Sequence, residues 1–252
     1  SDFAPREAQV ESDPERPCPF CPGHEEERPA ALETVGANGE WQARVVPNKY
    51  PAFVGDEPFS VRTLGPVHTQ AEASGIHEVF VYAREHEASL ASLSDDQVAS
   101  VMSILRKRMQ DHAATPGIRY TQAIVNHGQL LGMPFVPGEI LDEERAFGRF
   151  HGGCILCATV ESELADGSRV VVADEHCAVI SPYWAGSPYE LLIIPTKHDV
   201  HVQDADEATL AAVGRKLRSA LRMLNARLGD VAFNLVVHTA PHQHNGPFHW
   251  HF

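Results

Sequence analysis

Positive charge is scarce in this chain: across 252 residues, 20 Lys and Arg face 34 Asp and Glu, a formal net charge of -14. A protein that grips a nucleic-acid polymer needs a basic surface to neutralise phosphates, so that class of partner is excluded. Single nucleotides stay compatible, because a few local cations and backbone amides hold one diphosphate whatever the overall sign. Long apolar runs are also missing, and nothing approaches the roughly 20 residues that cross a bilayer as a helix. No membrane partner is therefore expected. The stretch from Ser1 to Glu15 lacks the basic start and apolar middle of a signal peptide, so the expected location is the cytoplasm. Cysteine is sparse but ordered. The five residues form two Cys-x-x-Cys pairs, Cys18/Cys21 and Cys154/Cys157, plus a lone Cys177. In a cytosolic chain such pairs point to metal ligation or redox chemistry before disulfides. With 43% hydrophobic and 21% charged residues, the composition is that of a folded domain or two, not of a disordered chain.

What the sequence does have is an internal repeat with an offset of 112 residues. Ile76 to His86 aligns without gaps with Pro188 to His198, each reading as an apolar strand that ends in a histidine. The next segments, Ser94 to His112 and Asp206 to Leu228, carry apolar residues at helical spacing (Val98, Val101, Met102, Leu105; Leu210, Val213, Leu217, Leu221, Leu224). Thr121 to Gly128 then matches Phe233 to Ala240 as a second strand running into a polar loop. Upstream of each strand-helix-strand unit lie a Cys-x-x-Cys and a β-rich stretch, Trp41 to Pro51 and Ser168 to Pro182. Pro134 to Phe150, with Pro137-Gly138 and a charged run, reads as the connecting segment. The expected domains are residues 1–145 and 146–252.

A Cys-x-x-Cys pair becomes a tetrahedral zinc site when two further nitrogen or sulfur donors converge on it. Cys154, Cys157, His198 and one histidine of Phe248-His249-Trp250-His251, taken as His249, complete such a set in the second half. Cys18, Cys21 and His86 supply three ligands in the first, with no obvious fourth. The competing reading is a redox dithiol amid unrelated histidines, of which the chain has 15. The symmetry of the two repeats weighs against it. Cys177, in a β-rich run, reads as a small buried apolar residue rather than a nucleophile.

The ordered set Arg16-Pro-Cys-Pro-Phe-Cys-Pro-Gly23, Val46-Pro-Asn-Lys-Tyr-Pro-Ala-Phe53, Gly75-Ile-His-Glu-Val79, Arg84-Glu-His86, Asn126-His-Gly128, Cys154-Ile-Leu-Cys157, Ser181-Pro-Tyr-Trp-Ala185 and Phe248-His-Trp-His251 resembles galactose-1-phosphate uridylyltransferase and its relatives in the histidine-triad superfamily. The second Cys-x-x-Cys is similar to the branch with ADP-glucose phosphorylases and adenylyl-sulfate transferases. The resemblance implies an α+β fold of two similar histidine-triad-like halves, each an antiparallel sheet with packed helices, stapled by two structural zincs. It implies a nucleotidyltransferase of carbohydrate metabolism that moves UMP or AMP between a nucleotide sugar and a sugar phosphate or phosphate, pairing into homodimers. A histidine attacks the α-phosphorus and holds the nucleotide covalently. In the family that histidine lies in a His-x-His-x-Gln motif after the Asn-x-Gly loop.

Here Asn126-His127-Gly128 is followed directly by Gln129-Leu130-Leu131, with no His-x-His. If Gln129 is the motif's glutamine, roughly a dozen residues are expected between Gly128 and Gln129, which also restores the repeat register and the fourth ligand of the first zinc. A continuation beyond Phe252 is expected as well. By the resemblance, Asn126 and Gly128 position phosphates and Gln129 bonds a phosphoryl oxygen, while Asn48, Tyr50 and Val79 line the nucleotide pocket. His127 is not expected to be the nucleophile, and His242 and His244 read as surface or supporting residues. The alternative is a catalytically inactive zinc-stapled nucleotide-binding or scaffold protein.

Overall fold

The computed structural model describes residues 18–37, 40–52, 54–55, 60–72, 74–128 and 137–252. The first strands are β1 (Glu33–Ala37), β2 (Glu40–Pro47), β3 (Val61–Leu64), β4 (His68–Ala71) and β5 (Glu78–Val81), followed by α1 (Asp95–Ala114) and β6 (Ala123–His127). After it come α2 (Pro137–His151), α3 (Ile155–Asp166), β7 (Val170–Ala173), β8 (Cys177–Ile180), β9 (Leu192–Pro195), α4 (Glu207–Leu228) and β10 (Phe233–Val237). All the strand pairings are antiparallel, in sheets ordered β1-β2-β5, β7-β8-β9, β10-β6 and β3-β4. The fold is thus mixed α and β with antiparallel sheets. Among the described residues no helix is long and apolar enough to cross a membrane.

Local chemistry explains the helices. Ser94 caps α1 in a reciprocal box with Gln97, and two acidic residues, Asp95 and Asp96, occupy the first turn against the positive end of the helix dipole. Asp206 caps α4 by accepting from the Thr209 N–H. The apolar stripes read from the sequence meet: Val98, Met102, Leu210, Val213, Leu217 and Leu221 share one core with Val179, Ile193 and Trp250. Burying such side chains contributes about 1.5–3 kcal/mol each.

The strands are shorter than their apolar runs. β9 starts only at Leu192, because Pro188 and Tyr189 form a turn in which Tyr189 takes a left-handed φ of 65°. The run from Ile76 to His86 likewise contributes only Glu78–Val81. Pro134 to Phe150, read as a connector, is mostly helical: α2 spans Pro137–His151, and residue 145, where the domain boundary was expected, lies inside it. Leu141 and Glu144 are buried on one face of α2, so the charged run hides a helical period.

β6 and β10, the corresponding second strands, lie antiparallel to each other, with Phe233 opposite His127 and Val237 opposite Ala123. The last residues continue the pattern: Phe252 exchanges backbone hydrogen bonds with Ile193 of β9 and His251 with His238 just past β10. That pairing brings the Phe248-His-Trp-His251 segment up against the loop after β9, where the Trp250 N–H donates to the Asp199 carbonyl.

Candidate functional site

The second Cys-x-x-Cys sits at the start of α3, with Cys154 as its N-cap and the Cys154 sulfur accepting from the Cys157 N–H at 3.5 Å. Two histidines reach it from distant sequence. His198, in the loop after β9, places Nδ1 3.3 Å from the Cys157 sulfur. His249 places Nδ1 3.5 Å from Cys157 Sγ and 3.8 Å from Cys154 Sγ. All four donor atoms lie within 4.8 Å of one another. With zinc–sulfur bonds of about 2.3 Å and zinc–nitrogen bonds of about 2.05 Å, a tetrahedron has sulfur-to-nitrogen edges of about 3.5 Å, so the donor set fits zinc. Burial keeps His249 in the ligating neutral form, pushing its pKa down to about 4, and pushes the Cys154 thiol up to about 12. A thiol so placed gives up its proton to a metal rather than to water.

A carboxylate that the sequence reading passed over stands behind this group. Glu144 of α2 is 1% exposed, accepts from the Ile155 N–H at 3.3 Å, and lies 3.6 Å from the Cys154 sulfur. Burial raises its pKa. It ties α2 to the first turn of α3, and its sequence signal was the i, i+3 spacing from Leu141. On the open side, Cys157 and His198 line a cleft of about 1280 Å³ together with Arg145 and Arg149.

The first Cys-x-x-Cys forms a knuckle in which the Cys21 N–H donates to the Cys18 carbonyl at 3.1 Å. Arg44 of β2, 4% exposed, pins it by donating from Nη2 to the Phe20 carbonyl at 3.0 Å. His86 Nδ1 is 3.3 Å from the Cys21 sulfur, and Cys18, Cys21 and His86 group within 4.8 Å. Among the described residues no fourth donor joins them.

Of the residues expected at the nucleotide, Asn48 and Val79 are brought together by the β2–β5 ladder. Val79 pairs with Val46, and the Asn48 N–H donates to the His77 carbonyl at 2.9 Å. Tyr50 projects from the same turn, 78% exposed. Asn126 and Gly128 stand on the other sheet, Asn126 opposite Asn234 in the β6–β10 pair and Gly128 at its end with a φ of 80°. Glycine adopts that conformation far more readily than residues with a side chain. Gln129 lies outside the described residues. His127 is occupied, with Nε2 3.1 Å from Asp230 and its ring stacked on Phe233. His242 has its Nε2 2.8 Å from the Thr121 hydroxyl, and both it and His244 are half-buried. Cys177 is fully buried and its thiol is pushed up to about 12 by that burial.

Comparison with known proteins places these features. The model of the galactose-1-phosphate uridyl transferase N-terminal domain matches residues 3–181, and that of the C-terminal domain residues 141–252. The ADP-glucose phosphorylase of Arabidopsis thaliana is 26% identical over 265 residues, covering 96% of this chain and 72% of that protein. The galactose-1-phosphate uridylyltransferase of Haemophilus influenzae is 25% identical, covering 82% of this chain and 63% of its own length. The chain thus spans between about three fifths and three quarters of these relatives. A crystal structure of the Arabidopsis ADP-glucose phosphorylase with bound ADP-glucose shares the fold, with a TM-score of 0.77 at 24% identity over 94% of this chain and 80% of that one. A uridylyltransferase mutant structure aligns with a TM-score of 0.79 at 22% identity, covering 96% and 80%. Matched from residue 3 to residue 252, the chain belongs to the galactose-1-phosphate uridyl transferase family.

Proposed function

We propose that this protein is a nucleotidyltransferase that moves UMP or AMP between a nucleotide sugar and a sugar phosphate or phosphate. The observation that carries the reading is the match of both family domains across nearly the whole chain. The second Cys-x-x-Cys group and the similarity to an ADP-glucose phosphorylase put an adenine nucleotide beside a uridine one among the candidate substrates.

In this reading a histidine nitrogen attacks the α-phosphorus. A nitrogen–phosphorus bond forms as the bond to the sugar phosphate breaks, and the sugar phosphate leaves with the electron pair. A phosphate oxygen of the acceptor then takes the nucleotidyl group and frees the histidine. The nucleophile would lie in a segment expected between Gly128 and Gln129, which are adjacent in these 252 residues. Asn126 and Gly128 would orient the phosphates, with the Gly128 backbone free to approach them closely, and Gln129 would donate to a phosphoryl oxygen as negative charge shifts. Asn48, Tyr50 and Val79 would hold the nucleoside, on the turn after β2 and on β5.

Cys154, Cys157, His198 and His249 would hold a zinc whose role is structural: four protein ligands leave no position for water. Its contribution is to fix the loop after β9 and the C-terminal segment against α3. Cys18, Cys21 and His86 would do the same for the N-terminal knuckle, with a fourth ligand from the same segment as the nucleophile. Two zinc-stapled repeats, residues 1–145 and 146–252, and a homodimer complete the proposal; light scattering of the protein reads the last.

The test is incubation with ADP-glucose or UDP-glucose labelled in the α-phosphate, together with a sugar phosphate or inorganic phosphate. Label transferred to a new nucleotide is the expected result. Label released only as free AMP or UMP would make the protein a hydrolase with water as acceptor. Binding without any turnover, in a protein whose intact mass equals these 252 residues, would favour the inactive zinc-stapled scaffold.

A further inference from the structure

The turn after β2 is held by one residue that the sequence motifs contain but to which nothing above gives a role. His77, the residue before β5, lies under the turn from Asn48 to Ala52 and fastens it at both ends. At the near end its carbonyl accepts the Asn48 N–H at 2.9 Å. At the far end its ring Nδ1 accepts the Ala52 N–H at 2.9 Å. Between them the Asn48 Oδ1 accepts the Tyr50 N–H at 2.9 Å. The ring therefore fixes the Ala52 end of the turn, and the Asn48 side-chain oxygen fixes the backbone from which Tyr50 projects.

We propose that His77 is the positioning residue of the nucleotide pocket: it orders the Asn48–Ala52 turn before any ligand arrives. The inference rests on the reading of Asn48 and Tyr50 as nucleoside contacts. Pro47 and Pro51 restrict the backbone of the turn but supply no N–H of their own. Among the described residues, and apart from the bond at its start, the turn's order rests on side-chain acceptors, Asn48 Oδ1 and His77 Nδ1. A turn with few backbone bonds is costly to order upon binding, and an acceptor that orders it beforehand lowers that cost. His77 does so from the rigid side, since β5 is paired to β2 from Glu78 opposite Pro47 to Val81 opposite Arg44. Its Nδ1 works only as an acceptor, so the ring acts in one tautomer, with its proton on Nε2.

The test compares His77→Phe, which keeps a ring but no acceptor, with His77→Asn, whose amide oxygen can stand near the place of Nδ1. Binding of AMP and UMP is measured by calorimetry, and hydrogen exchange at the Ala52 amide by NMR. Loss of one such bond is expected to weaken nucleotide binding about tenfold and to speed Ala52 exchange by a similar factor in the Phe variant, with the Asn variant recovering most of both. Ala52→Pro removes the same bond from the other side, so it decides the matter should the Phe variant lose its fold. Faster exchange at Ala52 with unchanged affinity would reduce His77 to a structural clamp and overturn the proposal while leaving the nucleotide pocket in place. A wild-type protein that binds neither nucleotide would sink the pocket reading, and the proposal with it, even if exchange at Ala52 responds as expected.

Discussion

Glu78 joins the two parts of the chain at the scale of single residues. Its carboxylate accepts from Nε and Nη2 of Arg108 and lies 3.1 Å from His112 Nε2. From there a chain of polar groups runs through His112 Nδ1, the Thr121 hydroxyl and His242 to Gln203. Burial works to raise the Glu78 pKa, but the bonds from His112 and Arg108 outweigh it and bring it down to about 2. The sign follows from linkage: the carboxylate's contribution is fully present above its ordinary pKa near 4.5 and is lost as pH falls towards 2. A shift of that size corresponds to about 3 kcal/mol at neutral pH. Glu78→Gln should therefore lower urea-denaturation stability by roughly that amount at pH 7, and the gap from wild type should shrink markedly by about pH 3. An undiminished gap in acid would show that the carboxylate acts by shape and not by charge. Cysteines and histidines were legible as a site because few residue types ligate metals and their spacing recurred. Glu144, His77 and the Glu78 network were not. A Glu or His looks the same in sequence whether it faces water or a buried partner, and only the fold supplies the partner.

Among the elements, α1 and α4 were read to within a few residues, but α2 was read as a connecting segment, α3 was not read, and the strands overshot. A helix carries its caps and its period in its own sequence, as Ser94 with Gln97 and Asp206 with Thr209 do. A strand's ends depend on what it pairs with, so the apolar runs overshot β5 and β9. The α1–α4 contact gives a sharp test. Gly214 lies where α4 crosses α1, and a Cβ added there would come within 2.4 Å of Val98 Cγ1 and 2.8 Å of Met102 Cγ. Helix propensity alone would favour Gly214→Ala by about 1 kcal/mol. The overpacked crossing should reverse that, with a net loss of about 1–3 kcal/mol in chemical denaturation. A stabilised Gly214→Ala protein would mean that the two helices are not in the contact described here.

For the whole molecule, an offset of 112 residues was visible in the sequence, but the pairing of the segments it aligns was not. Pairing β6 with β10, and His251 and Phe252 with His238 and Ile193, are long-range choices that no local pattern specifies. Those pairings carry His249 to the Cys154 and Cys157 sulfurs, and with it the claim on which the zinc-stapled architecture depends. The most direct measurement is the absorption spectrum of the cobalt-substituted protein, taken beside Cys154→Ser and His249→Ala variants. The account predicts thiolate-to-cobalt charge transfer and the intense visible bands of tetrahedral cobalt, weakened in both variants while the knuckle of Cys18, Cys21 and His86 keeps its own contribution. Spectra that do not change when Cys154 or His249 is replaced would contradict it, because the C-terminal thiolates and imidazoles would then hold no metal.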